Sequence, residues 1–323
     1  MILGENIGSV YSGGKEIQRV FSYGKLVWEK KTQDDDIDYS TTPFTVKAVE
    51  GVVRVSVGKR NPDNGNIIYI DMKYSINGGK WITTNSLNAI ELNKNDSVSI
   101  IATDADYCTV RGETYYVYDT DDPSRYETKR RLSDISGNIM SLIYGDNFIG
   151  QDVWTERNSG SSGSGFFSRS DIRNAENLIL PATTLSERAY RYMFSQCIWL
   201  VSAPELPATT LSVGCYVGMF YNCPSLTKAP ILPAPKLVKG CYGGMFAYCE
   251  SLKYVKCYAT SLKIYSIDKM ITYYDDIYGV WVESNEWLSG ITTSGTLVCK
   301  QVNGGKNPLE DYIPSTWSVE YFT

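Results

Sequence analysis

The sequence contains no histidine in its 323 residues. That removes the commonest general base, the Ser-His and Cys-His nucleophile pairs, and most catalytic zinc sites. Carboxylate chemistry is left, with Asp104 and Asp106, or Asp275 and Asp276, as pairs to consider. Neither pair sits in a recognisable catalytic context, and glycoside cleavage needs two carboxyls facing each other across a cleft. A carboxylate-based carbohydrate-active enzyme is therefore the minor reading, and no catalytic residue or cofactor is assigned.

Other absences narrow the field further. No apolar run approaches the ~20 residues of a membrane helix, so no membrane insertion is expected. The N-terminus, MILGENIGSVYSGGKEIQRV, has no basic stretch followed by an apolar one, so a soluble chain without a secretory leader is expected. Net charge is −5 and the pI is near 5.1, with Lys129-Arg130-Arg131 the one notable basic run. A nucleic-acid partner needs a concentrated basic surface and is argued against. Tight C-x-x-C spacing is missing, and the aspartates of TQDDDID (32–38) lack the glycine and terminal glutamate of a calcium loop, so no metal site is assigned.

What the sequence does have is 25 tyrosines and 27 glycines, a β-rich and turn-rich composition. VYSGGKEIQ (10–18) recurs ten residues later as VFSYGKLVW (20–28), which predicts two small hairpins over residues 1–31. They are too small to be a stable domain alone, and read as strands added to the next domain or as a docking element for a larger assembly. Residues 32–38 form an acidic linker. From 39 to 131 the pattern has period two: VVRVSV (52–57), IIYIDMKYSI (67–76), WITT, AIEL and SVSIIA, with an NGG turn at 77–79. Within IIYIDMKYSI, Ile68, Ile70, Met72, Tyr74 and Ile76 are expected on one face. Short strands at this rhythm suggest an immunoglobulin-like β-sandwich, although the Cys…Trp…Cys spacing of antibody domains is missing.

Three copies of a 26-residue unit follow from 181 to 258: PATTLSERAYRYMFSQCIWLVSAPEL, PATTLSVGCYVGMFYNCPSLTKAPIL and PAPKLVKGCYGGMFAYCESLKYVKCY. Leu185/Leu211/Leu237, Met193/Met219/Met245, Phe194/Phe220/Phe246 and Cys197/Cys223/Cys249 recur at one spacing. A period of 20–29 residues with Leu, Phe and Cys at set places is the signature of a leucine-rich solenoid, in which like residues stack into ladders. Ala189 stands where Cys215 and Cys241 stand in later copies. An essential ligand or disulfide partner would not tolerate that exchange, so the cysteines read as ladder residues. Residues 132–180 would cap the ladder and include a degenerate repeat, with Leu178 and Leu180 in register. Residues 259–323 would close it.

LPATTL…CYVGMFYNCPSLTKAPILPA resembles the BspA-like leucine-rich repeats of surface proteins from anaerobic bacteria and their phages. GNIMSLIYGDNF and NLILPATTL resemble the opening segment of that family. WLSGITTSGTLVCK and IPSTWSVEYF resemble its closing segment. The N-terminal repeat is similar to β units of phage tail proteins. The resemblance implies a multidomain, mainly β chain ending in a short α/β-repeat solenoid, with strands such as LTKAPIL on one side and CYVGMF as a helical turn on the other. It also implies adhesion rather than catalysis. The expected role is a virion tail or head-fibre component that binds a host surface glycan or protein, or alternatively a bacterial surface or secreted adhesin. Fibre proteins are often homo-oligomers, although no heptad run specifies a stalk.

Ligand contacts are expected in columns the repeat leaves variable: Ser195/Tyr221/Ala247, Gln196/Asn222/Tyr248, Trp199/Ser225/Ser251 and Ser202/Lys228/Tyr254. Trp199, Tyr221, Lys228, Tyr248 and Tyr254 are the candidates, because aromatics give much binding energy per residue and stack on sugars.

Overall fold

The computed structural model describes residues 10–12, 15–17, 19–22, 25–29, 37–60, 67–68, 70–85, 89–118, 126–155, 165–262, 272–275, 280–283 and 287–322. The chain is mainly β and divides into two units, Met1–Asp38 and Tyr39–Thr323. In the first, β1 (Val10–Ser12) pairs antiparallel with β2 (Lys15–Ile17), and β3 (Arg19–Ser22) with β4 (Lys25–Glu29). Each hairpin covers one copy of the short repeat. Most of the acidic linker, 32–36, lies outside the described residues.

The second unit opens with β5 (Phe44–Ala48), β6 (Val53–Arg60), β7 (Ile67–Ile68), β8 (Met72–Ile76), β9 (Ile82–Thr84), β10 (Ile90–Leu92), β11 (Ser97–Ala102) and β12 (Tyr107–Gly112). A hairpin of β13 (Thr114–Tyr118) and β14 (Tyr126–Arg130) follows, then β15 (Ser133–Asn138) and β16 (Ile172–Ile179). One sheet has the order β10-β6-β12, with β7 on β6; the other runs β16-β15-β5-β11-β8-β9. Alternating valines do what period two predicts: Val53, Val55 and Val57 of β6 and Phe44, Val46 and Ala48 of β5 all point into one core. The Asn77-Gly78 bend has positive φ at both residues (51° and 68°), and the Gly79 N–H donates to Ile76 O at 2.9 Å. This is the hairpin geometry that Asn-Gly favours.

Two expectations change here. The stretch 67–76 is two strands: β7 joins the first sheet and β8 the second. As a result the face alternation breaks. Ile76 is exposed, while Ser75 is buried with its hydroxyl donating to Gly79 O at 2.7 Å. The sheet also runs across the expected boundary at 131/132, because β15 pairs with both β5 and β16.

From 181 onward the three repeats lie one on the next. Three parallel strands, β18 (Tyr254–Cys257), β22 (Gly295–Lys300) and β23 (Trp317–Phe322), close the far end. Two further small pairs occur in this part of the chain. They are β17 (Lys236–Leu237) with β19 (Ser261–Leu262), and β20 (Thr272–Asp275) with β21 (Val280–Glu283). The ladder residues Leu185, Leu211, Leu237, Met193, Met219, Met245, Phe194, Phe220, Phe246, Cys197, Cys223 and Cys249 are all buried. Phe194, Phe220 and Phe246 stack with centroids 5.6 Å apart and nearly parallel planes. The phenylalanine row continues through Phe167 to Phe44 of β5, so the sheets and the repeats share one core. A second row, Tyr190–Tyr216–Tyr242, is flanked by Trp154 at one end and Trp287 at the other.

The segment expected as a helical turn takes a different path, and among the described residues there is no α-helix, so the repeat is not an α/β unit. In the second repeat Cys215, Val217, Met219 and Tyr221 each donate to the carbonyl three residues back. Gly214, Tyr216, Gly218, Phe220 and Asn222 instead donate to Lys239, Cys241, Gly243, Met245 and Ala247 of the third. The first repeat treats the second in the same way: Tyr190 donates to Cys215 and Phe194 to Met219. Every fourth residue is left-handed, at 188, 192 and 196, then 214, 218 and 222, then 240, 244 and 248. A left-handed residue at each second turn reverses the peptide plane and points alternate N–H groups at the neighbour, which an α-helix cannot do.

At Gly218 (φ 56°) a Cβ would come within 2.3 Å of the Tyr192 ring, whereas at Gly214 (φ 62°) the nearest atom is 3.4 Å away. Gly214→Ala should therefore cost about 1–2 kcal/mol of left-handed strain, and Gly218→Ala roughly 1–3 kcal/mol more through overpacking. Urea unfolding of the two variants side by side checks this; equal losses would contradict it.

Candidate ligand-binding groove

On the face opposite the turns, short parallel bridges join Asn174 to Ser202 and Ser202 to Lys228. They are backed by Ala175 N–H to Ser202 O (2.9 Å) and Val201 N–H to Arg173 O (2.8 Å). Each strand then meets proline: Pro204 and Pro207 in APELP, Pro230 and Pro233 in APILP, at matching repeat positions. Proline has no N–H to donate, so Pro204 and Pro230 add no donor of their own beyond the Ser202–Lys228 bridge. The two segments line a groove of 540 Å³, within the ~300–1,000 Å³ typical of ligand sites. Val201 and Ile231 line it with 42% and 48% of their surface exposed. Glu176, Ser202, Glu205, Thr227 and Lys228 supply its polar groups. Asn174 steers the Glu176 carboxylate through its side-chain amide at 3.0 Å.

The structure treats the five expected contact residues differently. Lys228 is exposed in the groove wall, and its ammonium stands 5.7 Å from the ring centroid of half-buried Tyr254. These two are brought together. Tyr221 is only 5% exposed and packs with Tyr192, Val217 and Ala247, so it fills a gap under the turns and is no surface contact. Its whole column, with Ser195 and Ala247, is buried. Tyr248 is 38% exposed but sits edge-on to Tyr221 at 5.4 Å and lies over Gly290, where a Cβ would meet its ring at 2.5 Å. Trp199 is half-buried, with its indole nitrogen fully covered. The aromatic residues on the turn side are thus largely packing, and the open surface belongs to the strand side.

Glu176, Glu205, Val201 and Ile231 were not among the sequence candidates. The signal that could have found them is the proline pair repeated 26 residues apart, since proline supplies no N–H to a ladder.

The carboxylates considered for catalysis have other partners. Asp104 pairs with Lys59, and Asp106 accepts the Arg60 N–H at 3.0 and 3.2 Å. Asp275 ends β20, and Asp276 lies outside the described residues.

All eight cysteines are free and buried. Cys197, Cys223 and Cys249 donate their thiols to the carbonyls of Phe167, Phe194 and Phe220, at 3.2, 3.2 and 3.1 Å. Each thiol thus ties its repeat to the one before. Among the described residues no three His, Cys, Asp or Glu side chains form a metal-holding group. Burial pushes Cys197, Cys215 and Cys249 from 9.0 up to about 12, and raises Tyr216 and Tyr242 well above 10.0. The unfolded chain releases the thiol protons near pH 9 while the folded chain keeps them. Stability is therefore full below pH 9 and falls as pH rises toward 12, by about 1.4 kcal/mol per unit for each thiol. Urea midpoints from pH 7 to 11 should show this decline, and a thiol reagent at pH 8 should label the native chain slowly and the unfolded chain fully. Rapid labelling of the native chain would contradict the burial. No protein-family model, curated protein or solved structure matches the chain.

Proposed function

We propose that the protein is a non-enzymatic adhesin of a virion surface, part of a tail or head fibre, recognising a host surface glycan or protein. In this reading the strands after residue 38 form an immunoglobulin-like sandwich and the repeats a short leucine-rich solenoid of BspA-like type. The N-terminal hairpins dock the chain to the larger assembly.

The observation that carries the reading is the division of labour within the repeat. One set of positions is the same in all three copies and buried, while Ser202, Lys228 and Tyr254 differ from copy to copy, with Ser202 and Lys228 lining an open groove and Tyr254 beside Lys228. Extended surfaces with a constant core and variable outward positions suit recognition. The sharing of one core between sheets and repeats also supports it, since a rigid body holds a binding face in a set orientation. Mass spectrometry of particles purified from the source organism should find this chain at structural stoichiometry. Its absence from particles, with recovery in the washed cell envelope, would replace the virion reading with the cell-surface one.

A further inference from the structure

We propose that the groove between the first two repeats binds an extended polypeptide segment carrying basic and aliphatic side chains in alternation, so that the ligand is a protein and not a glycan. The inference rests on the adhesin reading and selects between its two ligand classes.

Sugar rings are commonly held on aromatic faces, and no aromatic residue lines this groove. Its apolar contacts are aliphatic: the exposed Val201 and Ile231, together with the prolines of both walls. The walls are the segments 201–207 and 227–233, parallel at the Ser202–Lys228 bridge, and seven residues span roughly 20 Å when extended at about 3.3 Å per residue. That length suits about six residues of an extended chain, whose side chains alternate between facing the groove floor and facing out.

Charge then selects the sequence. Glu176 and Glu205 are both exposed, and neither is in an ion pair among the described residues. The groove's lysine, Lys228, is turned to the Tyr254 ring. Two carboxylates against one occupied ammonium favour a cationic occupant, and the chain's net charge of −5 acts in the same direction.

The test uses the full chain and a fluorescein-labelled hexapeptide of alternating lysine and valine, followed by fluorescence polarisation. A glutamate–valine hexapeptide is the charge control, and a panel of neutral and sialylated oligosaccharides the class control. Glu205→Lys and Ile231→Asn change exposed side chains, and unchanged urea midpoints would establish that both variants fold. The lysine–valine peptide should bind, weaken at least tenfold in each variant, and weaken between 50 and 500 mM salt; the acidic peptide should not bind. Absence of lysine–valine binding, or binding unaffected by both variants, overturns the inference. Oligosaccharide binding lost in both variants also overturns it, while leaving the adhesin reading in place. Failure of the wild-type chain to bind host cells would overturn that reading separately.

Discussion

The structure of residues 181–258 depends on one constraint, the alternation of backbone N–H groups between closing a turn within a repeat and donating to the next repeat. Neither half of this pattern is sufficient alone. Turns without the outward N–H groups would be an isolated ribbon with half its donors unsatisfied, and a buried unsatisfied donor costs about 1–3 kcal/mol. The alternation requires a left-handed residue at every fourth position, and that requirement spreads through the sequence. The second and third repeats meet it with Gly214, Gly218 and Asn222, and with Gly240, Gly244 and Tyr248. The first meets it with Arg188, Tyr192 and Gln196, with no glycine, at a conformational cost that the packing of Tyr192 over Gly218 helps offset.

Once the repeats are in register, side chains of one type lie above one another and the ladders follow. Each fully buried Phe, Leu or Met contributes roughly 1.5–3 kcal/mol, so the rows of Phe, Met and Leu supply most of the stabilisation. The rows must also end without exposing a bare apolar layer. At one end Phe44 and Trp154 continue them into the sheets, with the Trp154 indole donating to Ala189 O at 2.8 Å. At the other, Trp287 covers both Tyr242 and Phe246 and donates to Tyr312 O at 3.0 Å. The main-chain carbonyl of Trp287 accepts from Phe246, as Met245 accepts from Phe220, so this tryptophan takes the methionine's place in the series.

Identity at 26-residue spacing was legible in the sequence because burial tolerates little variation, and it correctly placed the leucines, methionines, phenylalanines and cysteines in the core. The period-two strands were legible for the same reason, as Val53, Val55 and Val57 show. What periodicity could not convey was direction. In GCYVGMF only the four-residue spacing of Gly214 and Gly218 distinguishes linked turns from a helical turn, and in the first repeat that signal is absent. Variation was a poor guide to exposure: Tyr221 varies because its neighbours Tyr192 and Ala247 vary in compensation, keeping a second cluster filled. The groove was hidden because its lining is mostly proline, aliphatic and exposed carboxylate side chains, none of them conspicuous in the sequence.

The central claim is tested most directly by changing the register. Deleting residues 207–232 removes one whole repeat and sets Pro233 after Leu206, with Gly244 beneath Tyr192 where Gly218 stood. Thermal unfolding of that variant should remain a single cooperative transition, at a lower midpoint, whereas deleting 207–231 should abolish it because an offset of one residue sets turn-closing N–H groups where outward-pointing ones stood. Equal behaviour of the two deletions would contradict the account.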